Sequence, residues 1–527
     1  MTSGWTLTYD GYAPAQEGLR ETLCALGNGY FCTRGAAPDA VADGVHYPGV
    51  YLAGGYDRLT SEVRGRTVEN EDLVNLPNWL CLSLAIDGGP RLGPGSVEML
   101  DYRQSLDLAG GVLTRTLRFR DGEGRTTRWE ERRFVSMADA HLGALSVTVT
   151  AEDWAGRLAI RSEIDGTVTN AGVARYRDLQ GRHLETTGRG AEGEIVWLRS
   201  RMRQSRIEVA TAARTRVYAP GGAGAAREDD LAPDLAAQVL SLDLAPGESV
   251  SVEKIAALHS SRDPAISEHA EAARGRVSRA DRFDALLDAH RAAWRRLWDA
   301  FDIAVEDDAD CDCNLKLRVH LFHLLQTVSR HSIDRDVGVP PRGWTGEAYR
   351  GHVMWDELFV FPLLNLRQPL LSRALLRYRH RRLPMARRLA AAEGRAGAMY
   401  PWQSGSDGRE ESQSLHLNPA SGRWIPDNSR RQRHIGAAVA WNVWQYYEAT
   451  GDRGFLEDYG AEMLVEIARF FASAATRNPA RGRWDIRGVM GPDEFHTAYP
   501  GADPSTEGGL DNNAYTNVMA AWTLNRA

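Results

Sequence analysis

Only two of the 63 basic residues in this chain are lysines, Lys254 and Lys316, and neither stands beside a group that looks catalytic. Schiff-base chemistry, which needs a lysine amine, is therefore disfavoured. Cysteine is equally scarce. Cys24, Cys32, Cys81, Cys311 and Cys313 are too few and too scattered for a disulfide framework, so a reducing cytoplasmic setting is expected. Cys311-x-Cys313 has no second Cys or His pair at zinc spacing, and no metal site is expected. The start of the chain has no basic segment followed by an apolar core, and no apolar run approaches the ~18 residues a membrane span requires. No GxxxxGK[ST] exists to cradle a nucleotide phosphate. The balance of 63 basic against 70 acidic residues, a formal charge of −7, supplies no global field for nucleic acid or an anionic membrane. Neither is expected as a partner.

What is present is ordinary globular composition: 43% hydrophobic, 25% charged, mean hydropathy −0.40. At 527 residues, two or three domains are expected. Over residues 1–264 short alternating runs such as Val112-Leu113-Thr114-Arg115-Thr116-Leu117-Arg118-Phe119, and others within 145–149 and 239–244, are separated by turn residues such as Asp121-Gly122 and Ala245-Pro246-Gly247. Alternation of this kind marks antiparallel strands with one face buried, and a β-sandwich domain is predicted. The glycine-rich stretch 220–224, with the acidic Glu228-Asp229-Asp230 just after it, is expected to form a loop within that domain.

The period changes near residue 265. Segment 265–301 is rich in Ala, Arg, Leu and Glu without proline, so 265–310 is predicted to be a helical linker. A helical domain is predicted over 311–527. It begins with 315–328, where Leu317, Leu321, Leu324, Leu325 and Val328 share a face, and continues with helices near 355–366, 370–392, 433–450, 455–475 and 512–526. The seven arginines between Arg373 and Arg388 are expected on a solvated helix face, with Pro384 interrupting the run. Between the helices lie long loops rich in Gly, Pro, Trp and polar residues, and such loops in a compact domain are usually functional.

Three of these loops carry chemistry. In Gly351-His352-Val353-Met354-Trp355-Asp356, Gly351 allows close backbone approach to a ligand, and Asp356 either caps the following helix or binds sugar hydroxyls while Trp355 stacks on the ring. The loop Pro401-Trp402-Gln403-Ser404-Gly405, with Asp407, Glu410 and Glu411 close behind, offers a second sugar subsite or is a solvated connection. In Met490-Gly491-Pro492-Asp493-Glu494-Phe495-His496 a Gly-Pro turn holds two adjacent carboxylates against apolar neighbours. A carboxyl kept protonated there by burial could protonate a leaving glycosidic oxygen; otherwise the pair begins a surface turn.

These motifs, with Asp511-Asn512-Asn513-Ala514-Tyr515-Thr516-Asn517 and the opening Leu26-Gly27-Asn28-Gly29-Tyr30, resemble glycoside hydrolase family 65 in order and over nearly the whole chain. The resemblance implies an N-terminal β-sandwich, a helical linker and a six-hairpin α/α barrel. It implies inverting phosphorolysis of an α-glucosidic disaccharide, such as maltose, trehalose or kojibiose, to β-glucose 1-phosphate. It assigns Glu494 as general acid and Trp355, Asp356, Trp402, Gln403, His352 and Asn513 to substrate binding. Disaccharide and inorganic phosphate are the implied partners, with phosphate as co-substrate and no cofactor, and a homodimer is compatible with it. An inverting hydrolase and a non-catalytic sugar-binding remnant are the alternatives. Because the family's phosphate or base residues follow the acid motif and this sequence stops 33 residues beyond Glu494, a truncated half-barrel with weak or no turnover is expected.

Overall fold

The computed structural model describes residues 4–63, 65–222, 224–306, 312–492 and 497–527. The alternating runs of the N-terminal region form two large antiparallel sheets. One has nine strands, in the order Thr6–Asp10, Glu98–Asp107, Val112–Arg120, Thr126–Val135, Leu142–Ala151, Ser249–Ser260, Glu208–Tyr218, Ile195–Met202 and Leu184–Glu192. The other has four: Ala226–Ala232, Leu235–Leu244, Gly156–Asp165 and Leu82–Ile86. Inward residues of both sheets, among them Leu158, Ile160, Leu240, Val196, Leu198 and Val252, belong to one buried cluster. Ser162 and Thr215 hydrogen-bond between the sheets at 2.8 Å. Lys254 is fully buried, and its Nζ donates to the carbonyls of Cys81 and Glu163, both at 2.8 Å. One of the two lysines is thus a cross-link between the sheets, and burial pulls its amine down to about 8.

After the short turn Pro220–Gly222 comes the acidic triplet Glu228-Asp229-Asp230. It lies exposed on the edge strand Ala226–Ala232, where charge discourages pairing with another chain.

The 265–301 segment forms two helices, His269–Ser278 and Phe283–Phe301, rather than one. Phe283, Leu287, Trp294, Trp298 and Phe301 face the sheet domain, and Trp298 Nε1 donates to the Leu108 carbonyl at 2.8 Å. The 370–392 segment is likewise split into Pro369–Arg381 and Leu383–Ala392. Pro384 cannot supply the N–H an unbroken helix would need, but it is tolerated in the first turn of a new one.

Three helices, Glu357–Arg367, His434–Thr450 and Ala514–Arg526, pack side by side in one row. Pro369–Arg381 and Ala461–Ala474 pack behind them. Each helix of the row is preceded by one of the long polar loops, so those loops converge at the row's N-terminal end. Along its length the row carries exposed apolar side chains, including Phe359, Leu366, Val518 and Leu524.

The arginine-rich segment is less solvated than its composition suggests. Arg379, 2% exposed, pairs with buried Glu357 at 2.8 Å and donates to the Met354 carbonyl. Arg382 is buried against Asp336 at 2.9 Å. Burial raises the Glu357 carboxyl while Arg379 opposes the shift. Removing either partner of such a pair leaves an uncompensated buried charge, at a cost of about 3–5 kcal/mol. Arg379 anchors the start of the helix that follows Trp355, and Arg382 holds the Trp402 loop through the Gly405 and Ser406 carbonyls.

Candidate active site

His434 opens the central helix of the row, and three motif aromatics surround it. Its ring centroid lies 4.7 Å from Trp355, 6.1 Å from Trp402 and 5.7 Å from Tyr515, all in edge-on arrangements. His434 is fully buried, and among the described residues neither ring nitrogen has a hydrogen-bond partner. Burial alone lowers its pKa to about 4, so the imidazole is neutral at pH 7. No motif in the sequence singled this residue out. The only local signal is its position directly after Arg430-Arg431-Gln432-Arg433 at a helix start.

A cavity of about 240 Å³ opens beside this cluster, with Trp402, Gln403 and Met490 on its wall. Ser412 Oγ, Gln413 Nε2 and Arg350 Nη1 belong to lining residues and are buried without a partner among the described residues. Arg175 and Tyr176 of the N-terminal domain close one side, so the cavity lies between the two domains. Sequence reasoning confined the site to the helical domain, because nothing local in Arg175-Tyr176 marks a long-range contact.

The Trp402 loop is held from several directions. Glu410 accepts hydrogen bonds from the backbone N–H groups of Trp402 (2.8 Å), Gln403 (3.3 Å) and Ser412 (3.0 Å), and burial raises its carboxyl. From the N-terminal domain, the hairpin Tyr56–Val63 and Arg66–Leu73 delivers Arg58 and Glu71. Arg58 makes a bidentate pair with Glu411 at 2.6 and 3.1 Å, and Glu71 accepts from Ser406 N at 2.9 Å and from Ser406 Oγ. A Cβ on Gly405 would come within 1.7 Å of Glu71 Oε2, so the loop can lie against the hairpin only with glycine there. Gly351, at φ +69°, makes a similar approach. Its neighbour is the Leu73 side chain rather than a ligand, and its carbonyl accepts from Tyr56 Oη at 2.5 Å.

The sequence-predicted residues fall in different places. Trp402 is 5% exposed and, with Gln403, lines the cavity. Trp355 is half-buried against His434. Asp356 makes no side-chain cap on its helix; it lines a neighbouring cavity of about 410 Å³ with Arg342 and Phe359, and burial raises its carboxyl. His352 is fully buried in the Arg58–Glu71–Glu411 region, off the cavity wall. Burial and then Arg350 lower its pKa to about 3. Asn513 Oδ1 caps the last helix by accepting from Thr516 N at 3.1 Å, and its Nδ2 faces Gly491. Asp493 and Glu494 lie outside the described residues. The chain entering them is fixed by a Val489 N to Leu510 O bond of 2.9 Å and a Met490 N to Arg431 O bond of 3.0 Å.

Among the described residues, two groups of side chains have the makeup of metal ligands. In Glu71, His352 and Glu411 the carboxylates already face the Arg58 guanidinium, at 3.3 and 2.6 Å. In His141, His259 and Asp263 the two imidazoles stack at 3.7 Å and 12°, so their ring planes do not meet at a shared ion.

The two neutral histidines fix a pH dependence. His352 and His434 titrate near 3 and 4 when folded and near 6.5 when unfolded, so between these values the unfolded chain binds more protons. Their stabilising contribution is complete above pH 6.5 and is lost as the pH falls, at about 1.4 kcal/mol per pH unit for each. Urea midpoints are expected to drop between pH 6.5 and 5, and His434→Phe should flatten that slope. Equal slopes for the two proteins would exclude His434 as a contributor.

A β-rich domain packed on a helical one, with an aromatic and polar cavity between them, is a two-domain architecture suited to a small polyhydroxylated ligand. Residues 7–297 match the glycosyl hydrolase family 65 N-terminal domain and residues 318–527 the family 65 central catalytic domain. The chain belongs to glycosyl hydrolase family 65. It is 50% identical over 526 residues to an uncharacterized glycosyl hydrolase of Mycobacterium tuberculosis, covering 99% of this chain and 39% of that protein. It is 34% identical to the trehalose 6-phosphate phosphorylase of Lactococcus lactis and 32% identical to the kojibiose phosphorylase of Caldanaerobacter subterraneus, each time over 99% of this chain and 65% of the relative. A solved structure provisionally described as a kojibiose phosphorylase from human microbiome superposes with a TM-score of 0.84 at 19% identity, covering 100% of this chain and 65% of that one, and shares the fold. The alignments take in nearly all of this chain. In length the chain spans about two-thirds or less of these relatives. Among the described residues, no helix is long and apolar enough to cross a membrane.

Proposed function

We propose that this protein cleaves an α-glucosidic disaccharide of the kojibiose, trehalose or maltose class with inorganic phosphate, inverting the anomeric carbon to give β-glucose 1-phosphate and glucose. The observation that carries the proposal is the inter-domain cavity. It offers an indole plate at Trp402 and three polar atoms, on Arg350, Ser412 and Gln413, that have no partner among the described residues, to a ligand rich in hydroxyls. The phosphorylases among the relatives support the choice of reaction.

In this scheme Glu494 gives its proton to the bridging oxygen as the glycosidic C–O bond breaks, and a phosphate oxygen bonds to the anomeric carbon from the opposite face. Phosphate brings its own negative charge, so the second carboxylate that an inverting hydrolase places ~6.5–9.5 Å from the acid has no task. Trp355 and Asp356 hold the donor glucose, Trp402 and Gln403 border the acceptor, and His352 and Asn513 support those loops from behind. No cofactor takes part.

The test is incubation with kojibiose, trehalose, trehalose 6-phosphate and maltose, with and without phosphate, followed by NMR. β-Glucose 1-phosphate is expected, formed only when phosphate is present. Glucose released without phosphate would replace phosphorolysis by hydrolysis, and calorimetric binding without either product would reduce the protein to a sugar binder.

A further inference from the structure

On the other side of the segment that carries Met490 lies a second cavity, of about 350 Å³. Among the described residues five arginines line it, Arg395, Arg430, Arg431, Arg433 and Arg487, against one acidic residue, Glu393. This is a local reversal of sign in a chain whose formal charge is −7. Arg433 is paired with Glu393, and Arg487 with Asp485 at 3.1 Å. Among the described residues Arg395, Arg430 and Arg431 have no carboxylate partner. Arg395 donates to the Ser473 carbonyl, and Arg431 to Asn428 Oδ1 and the Gly488 carbonyl. The floor is apolar, formed by Phe470, Phe471, Ile486 and Val489, each less than 10% exposed. Charges set over a low-dielectric wall focus their field and are screened less than charges on an open surface. Burial, then Arg430 and Arg433, hold Arg431 below the usual arginine range, and Glu393 offsets this only in part.

We propose that this cavity is a binding site for a phosphate-type dianion, either inorganic phosphate or the phosphoryl group of a sugar phosphate. Guanidinium forks match tetrahedral oxyanions in bidentate geometry, and a space of this size admits a small molecule rather than a chain segment. The site shares a wall with the sugar cavity. Asn428, Ser429 and Met490 face the sugar side, Arg430, Arg431 and Val489 face the arginine side, and the Met490 N to Arg431 O bond runs between them. Arg431 also donates to the Gly488 carbonyl, two residues before Met490 in the chain.

The test is isothermal calorimetry on the full chain with inorganic phosphate, glucose 6-phosphate and glucose at fixed ionic strength. Both phosphates are expected to bind and glucose not to bind at this cavity. The double substitution Arg430→Gln/Arg431→Gln should weaken phosphate binding at least tenfold, and added potassium chloride should weaken it in the parent protein. Tighter binding of inorganic phosphate marks a free-phosphate site, and tighter binding of glucose 6-phosphate marks a phosphomonoester site. A measurement that does not depend on a folded variant is phenylglyoxal labelling of the exposed Arg395 and Arg430, which either anion should slow. Unchanged labelling, or equal affinity in the double variant, overturns the proposal. Glu494→Gln leaves this binding intact, so failure of the anion site and failure of phosphorolysis are separate results.

Discussion

Glu494→Gln is expected to lower phosphorolysis by about 10²–10⁴-fold, the usual contribution of a positioned general acid, while disaccharide affinity changes by no more than about twofold. Glutamine keeps the size and hydrogen-bonding reach of the side chain but has no proton to give at neutral pH, so an alkoxide would have to leave unassisted. The loss should shrink when the leaving group needs no protonation. With α-glucosyl fluoride as donor, parent and variant are expected to converge to within about tenfold, since the part of the barrier met by the acid is absent. A merely structural role for Glu494 predicts equal losses for both donors. Unchanged turnover of the disaccharide would remove Glu494 from the mechanism.

The second large effect concerns stability. Arg58, 6% exposed, is held by Glu411, also 6% exposed, in a two-bond pair that joins the N-terminal hairpin to the Trp402 loop. Burial disfavours the guanidinium charge, but its hydrogen bonds to Glu411 and the charge of nearby Glu71 more than restore it. Glu411→Ala leaves that cation with Glu71 as its buried partner and the exposed Glu69, and a loss of about 3–5 kcal/mol is expected, read as a thermal midpoint lowered by several degrees. Pairing Arg58→Met with Glu411→Leu should recover much of it, because apolar groups of similar volume carry no desolvation cost. The single variant should also raise KM more than it lowers kcat, since Arg350 donates to the Glu411 carbonyl and the loop presents Trp402 and Gln403 to the cavity. A loss below about 1 kcal/mol would mean that Arg58 finds water or Glu69, 3.3 Å away, as a sufficient partner.

The motif loops were legible from the sequence because their chemistry is written in short linear runs. Gly, Pro and Trp in Pro401-Trp402-Gln403-Ser404-Gly405 exclude helix and supply an aromatic whatever the rest of the chain does. The expected breaks between elements were less secure. Pro384 divides what composition presents as one helix, and the helix over 265–301 divides at Arg279–Arg282, where no proline or glycine warns of it. Arg379 and Arg382 sit in a run indistinguishable from a solvated face. Their burial follows from Glu357 and Asp336, which reach them only through the packing of three separate segments.

By itself the sequence determined the order of a β-rich region and a helical region, the family, and the loops that could carry a sugar site, since periodicity and turn chemistry act over a few residues. Tertiary structure alone decided that His434 stands among Trp355, Trp402 and Tyr515, that Arg175 and Tyr176 reach the cavity from the other domain, and that five arginines gather behind Met490. The physical reason is that each of these sites is made by helix N-termini and loops brought side by side through burial of distant apolar faces. No local pattern encodes which side chains will then meet.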